Sequence, residues 1–171
     1  MLSLTRALLC FSASLLAFTL SAQDMSNARL DSLLRANVDT LDGGAGRWQF
    51  VVDETPMFIL TDEGHDRMRI ISPIKDASEM DADELRVCLA ANFHSALDVK
   101  YALSEGVLWA AFIHPLSPLR DGQFVDALAQ VRSAVLTYGT TFASTDLVFP
   151  MPRREAPKEV EEGPSRDTKR L

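Results

Sequence analysis

Residues 97–114, LDVKYALSEGVLWAAFIH, decide the fold because they predict a β-hairpin. In 97–103 apolar and polar residues alternate, which is typical of a strand with one buried face. Ser104-Glu105-Gly106 supplies the turn. In 107–114 both faces of the predicted strand are apolar, a pattern that belongs to a strand covered on both sides. The second cover is either a helix or a partner chain.

The second strand of this hairpin also contains the candidate partner surface. Leu108, Ala110 and Phe112 lie on one of its faces. If that face is not covered within the chain, these residues form an exposed apolar patch. Such patches mark surfaces that bind a protein partner or a second copy of the chain.

Upstream of the hairpin, residues 82–93 are predicted as a helix. Asp81 and Glu84 have the spacing of a capping box at its start. Its predicted apolar stripe consists of Leu85, Cys88, Leu89 and Phe93. Cys88 is the only cysteine left if an N-terminal signal peptide is removed, so it forms no internal disulfide. It is therefore either buried and inert or a bridge between chains, which places it among the candidate dimer residues.

The rest of the chain adds two helices and three strands. The predicted helices are 25–41 and 122–138, and the predicted strands are 48–53, 57–62 and 67–74. Gly43-Gly44-Ala45-Gly46 is predicted as a flexible turn that ends the first helix. The element order α-β-β-β-α-β-β-α predicts an α+β fold with an antiparallel sheet packed against helices.

This order resembles the type III secretion chaperone-like fold, including the YbjN-like family of bacterial proteins. The resemblance covers about residues 25–139. It rests on Ala91-Asn92-Phe93 at the end of the second helix, the hairpin just described, Pro115-Leu116 and the long last helix. The resemblance implies a small, acidic, non-enzymatic protein that is often dimeric and binds partner proteins. Secretion chaperones proper work in the cytoplasm, whereas the N-terminus of this chain indicates an exported member.

The N-terminus has the pattern of a secretory signal peptide over residues 1–22. Arg6 supplies the positive charge, Ala7–Leu20 is uncharged and apolar, and Ala22 and Gln23 flank the expected cleavage site. The apolar stretch is shorter than the roughly 20 residues that span a bilayer. We expect a periplasmic or secreted protein with no transmembrane segment in the mature chain. A retained N-terminal anchor is the alternative.

Charge and composition divide the remaining chain into one domain and a tail. Residues 23–149 are expected to form a single α+β domain, which has 10 Lys and Arg against 19 Asp and Glu. Residues 150–171 contain four prolines and mixed charges, so they are expected to be a disordered tail. A domain this acidic repels phosphate backbones, which excludes nucleic acid as an expected partner.

The sequence shows no motif for catalysis. His65-Asp66 resembles a metal-binding pair, but it lies in a predicted hairpin turn with no second histidine nearby. Gly43-Gly44-Ala45-Gly46 lacks the Lys and Ser or Thr of a phosphate-binding loop. We therefore assign no catalytic, cofactor-binding or metal-binding residue, and we expect no cofactor and no enzymatic activity.

The predicted function is that of a non-catalytic periplasmic module that is chaperone-like and binds an unknown client protein. One alternative is a carrier of a small ligand or lipid, which a closed apolar cavity between sheet and helices would favour. Another is an envelope hydrolase without a motif, which two shifted carboxylates in one cleft would favour. A purely structural role in an assembly is the last alternative.

Overall fold

The computed structural model describes residues 24–147. The signal peptide, its cleavage site at Ala22 and Gln23, and the tail 150–171 lie outside the described residues. In chain order the elements are α1 (Asn27–Asn37), β1 (Leu41–Gly44), β2 (Arg47–Val52), β3 (Thr55–Asp62), β4 (Arg67–Asp76), a short 3-10 turn (Ala77–Glu79), α2 (Ala82–His94), β5 (Val99–Ser104), β6 (Val107–His114) and α3 (Asp121–Leu136).

The six strands form one antiparallel sheet in the order β1-β2-β3-β4-β6-β5. The first four strands follow one another as a meander. After α2 the chain returns at the far edge of the sheet with β5, and β6 then fills the place beside β4. The predicted α+β class and antiparallel sheet are confirmed, and so is the hairpin of 97–114.

The sheet has one strand more than the sequence predicted. The first helix ends at Asn37 because Val38 is already extended, and Leu41–Gly44 pairs with β2 as an edge strand. The predicted helix to residue 41 was therefore too long. Gly43 has a φ of +92°, and a Cβ there would collide with the carbonyl oxygen of Arg47. Glycine thus permits a close strand pairing here instead of a flexible turn.

The hydrophobic core lies on one side of the sheet. Alternate residues of the strands point to that side, and all three helices contribute to the same apolar cluster. The largest fully buried side chains are Leu30, Leu34, Trp48, Met57, Ile59, Met68, Ile70, Val99, Leu108, Leu116, Phe124 and Val131. Each such burial contributes about 1.5–3 kcal/mol relative to an exposed position. The core therefore fixes which face of every strand is turned away from solvent.

The predicted capping box of α2 is present and also joins three elements. The Asp81 side chain accepts hydrogen bonds from the first-turn amides, and the Glu84 side chain accepts one from Asp81 N. Glu84 also accepts from the Tyr138 hydroxyl at 3.2 Å and lies 3.4 Å from Lys75 Nζ. Burial, with the charge of Glu84 as the next cause, raises the pKa of Tyr138 to about 12. This cluster holds α2 against β4 and the end of α3.

Asp66 joins the β3–β4 turn to the loop before α3. Its carboxylate accepts from Ser117 N at 2.6 Å and from Ser117 Oγ at 3.0 Å. The hydrogen bond from the Ser117 amide is the main reason why the pKa of Asp66 is lowered. The same loop buries Leu116 and Leu119 in the core, and Ser117 O accepts from Met25 N. Asp66 is therefore a structural acceptor in its turn.

The two-residue turn between β2 and β3 holds non-glycine residues at positive φ. Asp53 has a φ of +43° and Glu54 a φ of +67°. Asp53 makes an ion pair with Arg132 of α3, whereas Glu54 is exposed. Turns of this kind favour glycine at the second position because it has no Cβ to clash.

We expect Glu54→Gly to stabilise the protein by about 0.5–1 kcal/mol. Relief of the left-handed strain is worth roughly 1–2 kcal/mol, and the added freedom of the unfolded chain offsets about 0.4–1 kcal/mol of it. Urea unfolding followed by circular dichroism measures the change. Glu54→Ala is the control, since it removes the carboxylate but keeps the Cβ. Equal stability of the two variants would contradict the assignment of strain.

Candidate protein-docking surface

The face of the sheet turned away from the helices is open to solvent. Strand pairing places side chains on it in rows that cross the sheet. One row contains Gln49, Phe58, Ile71 and Ala111, the next contains Arg47, Leu60, Arg69 and Ile113, and Pro73 and Trp109 are paired in a third. Except for Ala111, these side chains are exposed or half-buried, and none belongs to the core cluster. We call this surface the open sheet face.

The centre of the open sheet face is apolar. Phe58 and Trp109 pack edge to face with their ring centroids 6.3 Å apart, and Ile113 is 59% exposed. A depression of about 380 Å³ lies between Arg47, Phe58 and Trp109. A second depression of about 260 Å³ is lined by Arg67, Arg69 and Ile113, among others. Leu60 lines both depressions, so they are neighbours on one continuous surface.

Arginine side chains border this apolar centre. Arg47 and Arg69 lie on either side of Leu60 in one row. Arg67 precedes Arg69 by two residues on β4 and lies on the same face. All three residues are exposed, and none makes an ion pair with another described residue. The described arginines that do make ion pairs are Arg29, Arg35, Arg86 and Arg132. The open sheet face thus carries positive charge on an acidic domain.

The residues that the sequence placed at a partner surface lie elsewhere. Leu108, Ala110 and Phe112 are buried, because they point to the side of β6 that the helices cover. The exposed patch predicted from them is wrong, and the solvent side of β6 carries Trp109 and Ile113 instead. Both faces of β6 are apolar, so alternation alone gave no basis for choosing between them.

The outer surface of α2 is the second exposed apolar region. Leu89 is 69% exposed and Phe93 is 70% exposed, although both were predicted to point inward. Cys88 and Ala91 point into the core instead. Leu89 and Phe93 lie four residues apart, which puts them on one side of the helix. We call this pair the α2 surface.

Two of the three histidines have structural partners. His65 Nδ1 lies 2.7 Å from Asp62 Oδ2, and His114 Nδ1 lies 2.7 Å from the carbonyl oxygen of Pro115. Within residues 24–147 no three His, Cys, Asp or Glu side chains are grouped so that they could hold a metal ion. His65 and Asp66 in particular point to different partners, namely Asp62 and Ser117.

The carboxylates show the same structural use. Five aspartates have pKa values clearly below the ordinary value, and hydrogen bonds to the carboxylate are the main cause in each. They are Asp31, Asp62, Asp66, Asp76 and Asp121. A general acid at neutral pH needs a raised pKa. These five groups therefore act as acceptors in turns, caps and ion pairs.

One polar cleft of about 520 Å³ lies between β5, β6 and α3. Its lining includes Asp98, Lys100, His114, Asp126 and Gln130. Lys100 donates to the carbonyl oxygens of Asn92 and Leu97, and Gln130 donates to Asp126. Lys100 is therefore engaged with the backbone, and Gln130 and Asp126 with each other. No described helix combines the length and the apolar character that a bilayer span requires.

Comparison with known proteins shows similarity at the level of structure. No protein-family model and no curated protein matches the sequence. The Yersinia pestis type III secretion chaperone SycH, solved with a fragment of YscM2, aligns with a TM-score of 0.52. The identity is 10%, over 66% of this chain and 98% of that one. This chain has a type III secretion chaperone-like fold.

Two further structures align equally well. A chain of the HopA1–SchA chaperone–effector complex has a TM-score of 0.51 at 16% identity, over 64% of this chain and 88% of that one. A chain of the ExsC–ExsE complex has a TM-score of 0.51 at 15% identity, over 64% and 90% respectively. The expected resemblance to the type III secretion chaperone-like fold is confirmed, whereas these comparisons do not show the expected likeness to the YbjN-like family. The structural alignments establish the fold. Because the identities are low, the function has to be inferred from the surface residues of this chain.

We expect the Cys88 thiol to be unreactive in the folded protein. Cys88 is 4% exposed, and burial, followed by the charge of Glu84, raises the pKa of its thiol. Since the thiolate is the reactive form, Ellman's reagent should label the mature protein 23–171 slowly at pH 8 and completely in urea. A Cys88→Ser variant sets the background. Rapid labelling without urea, or a disulfide-linked dimer on a non-reducing gel, would contradict the buried thiol.

Proposed function

We propose that this protein is a non-catalytic, chaperone-like module that binds a client protein in the periplasm or outside the cell. The observation that carries the proposal is the open sheet face, where half-buried Phe58 and Trp109 lie beside the exposed Ile113 on a fold similar to that of secretion chaperones. Large aromatic side chains and arginines are the residue types that dominate binding energy at protein interfaces. Here both occur on one surface.

Protein binding fits this surface better than a small-ligand or lipid carrier does. The helix-covered side of the sheet is filled by large side chains such as Trp48 and Phe124. The depressions beside Leu60 lie on the solvent side and are continuous with each other. A carrier encloses most of its ligand, whereas a protein partner covers a broad surface.

The proposed location rests on the sequence of residues 1–22. We expect the protein recovered from the cell envelope to begin at Gln23, which intact-mass spectrometry measures directly. Ala22→Asp should block processing, because signal peptidase requires a small residue before the cut. Ala22→Gly is the control and should be processed. A full-length mass for the native protein would favour a retained anchor, and recovery only from the cytoplasm would contradict export.

We expect the client to be lost when the open sheet face is altered. The test expresses the full chain, crosslinks intact cells and captures the protein from the envelope. Ile113→Asp and Leu89→Asp are matched variants, because isoleucine and leucine are isomers and both residues are exposed. The first variant places a carboxylate on the open sheet face, and the second places one on the α2 surface. Ile113→Asp should reduce client recovery at least tenfold, and Leu89→Asp should leave it unchanged.

The other outcomes of this experiment are equally informative. Client loss with Leu89→Asp alone would move the docking site to the α2 surface. Capture of only a second copy of the chain, lost with Leu89→Asp, would show that α2 forms a homodimer. Recovery of no crosslinked protein from any variant would contradict the proposed function. Circular dichroism of each variant verifies that the loss is not caused by unfolding.

A further inference from the structure

We propose that the open sheet face selects an acidic amphipathic helix of its client, laid across the strands with its carboxylates on Arg47 and Arg69 and an apolar residue on Leu60. This inference rests on the proposed function and adds the chemistry and conformation of the segment that is bound. It follows from the arrangement of charge and apolar surface in a single row of the sheet.

The charge on this face points to an acidic partner. Residues 23–149 have an excess of nine acidic side chains, yet Arg47, Arg67 and Arg69 meet on the open sheet face without an ion-pair partner among the described residues. Exposed guanidinium groups beside apolar surface form strong, often bidentate hydrogen bonds with carboxylates. Arg67 Nη1 already donates to the carbonyl oxygen of Asp66 at 2.8 Å, so a partner's carboxylates would find their donors on Arg47 and Arg69.

The acidic residues at the border of the face are already engaged. Asp42 accepts from Gly43 N and from Gln49 Nε2, both at 2.8 Å. Asp62 accepts from His65 N at 3.0 Å and lies 2.7 Å from His65 Nδ1. Their hydrogen bonds direct these carboxylates to their own turns and strands. The guanidinium groups of Arg47 and Arg69 are consequently left for a ligand.

The spacing of the row favours a helix. Arg47 pairs with Leu60, and Leu60 pairs with Arg69, so the two arginines are two strands apart. Neighbouring strands are about 4.8 Å apart, which separates the arginine backbones by about 10 Å. Residues i and i+7 of a helix are separated by about 10.5 Å along its axis. Residues i+3 and i+4 lie between them on the same side, which places an apolar residue over Leu60.

The apolar surroundings supply the rest of the contact. Ile113 continues the same row beyond Arg69. Phe58 lies in the next row, and Trp109 lies in the row after that, in contact with Phe58. The two depressions that Leu60 lines have volumes of about 380 and 260 Å³ and adjoin this row. A helix with leucines and glutamates on one side would thus bury apolar surface and neutralise two arginines together.

An anionic membrane is the competing partner for a basic and apolar surface. Anionic lipids attract clusters of Lys and Arg, but the electrostatic field of the whole domain also affects its binding to a membrane. A domain with an excess of nine acidic residues is repelled by an extended anionic surface, whereas a short peptide senses mainly the local arginines. The charge distribution of the domain therefore favours the peptide, and binding to vesicles is one arm of the test.

The test measures binding of a designed peptide to the mature protein 23–171 by fluorescence anisotropy. The probe is an alanine-based helix with Glu at positions i and i+7 and Leu at i+3 and i+4. Its control has the same composition and helicity, with Glu and Leu on opposite sides. We expect the probe to bind at least tenfold more tightly than the control, and its affinity to fall as salt rises from 50 to about 300 mM.

Matched protein variants locate the contact. Arg69→Gln should weaken binding of the probe about tenfold, because it removes one of the two guanidinium groups proposed to bind the glutamates of the probe. Arg86→Gln removes the same charge from the exposed side of α2 and should leave binding unchanged. Ile113→Asp should also weaken binding. Equal loss with Arg86→Gln would show a general charge effect and overturn the proposal.

Failure of the inference can be told apart from failure of the proposed function. If the probe binds no better than its control while client capture still depends on Ile113, the face binds a protein of another chemistry and only the inference is overturned. If client capture fails as well, the proposed function is contradicted. Preferential binding to phosphatidylglycerol vesicles over phosphatidylcholine vesicles, with no binding of the probe, would assign the face to membranes and overturn the inference.

Discussion

The structure depends on the one-sided covering of its sheet. Three helices and the loops between them place their apolar residues in a single cluster on one face of six strands. Burial of this cluster is the main source of stability, since apolar area removed from water is the dominant favourable contribution to folding. The chain has no further described element with which to cover the other face. Apart from the buried Ala111, the apolar residues on that face therefore stay exposed or half-buried, where they are available to a partner.

The pattern of single strands could be read from the sequence where it was unambiguous. Strand β2 alternates Trp48 and Phe50 with polar residues, and the structure buries both as expected. Strand β6 is apolar on both faces, so its alternation identified a strand but not the side that meets the helices. That side is set by α3, whose Phe124 and Val131 join the same cluster as Leu108. The sequence thus predicted the element correctly and the exposed residues wrongly.

Two other differences have the same kind of cause. Glycines are poor strand formers, so Gly43 and Gly44 predicted a turn, but pairing with β2 overrides that local preference. On α2 the predicted stripe of Leu85, Cys88, Leu89 and Phe93 was partly wrong, because Cys88 points inward together with Ala91 where the helix packs against β5, whereas Leu89 and Phe93 do not. Small residues allow the helix to approach the sheet closely. The large ones consequently remain at the surface.

The candidate docking surface could not be predicted because its residues meet only through the register of the sheet. Arg47 and Arg69 are 22 positions apart in the chain, and nothing in their local sequence links them. Antiparallel pairing through β3 puts them in one row, on either side of Leu60. The net charge of the chain gave the opposite impression, since it averages over all surfaces. A local basic row on an acidic domain reconciles both observations: an acidic overall charge favours the solubility of a domain with an exposed apolar face, and the proposed role of the row is to select the partner of that face.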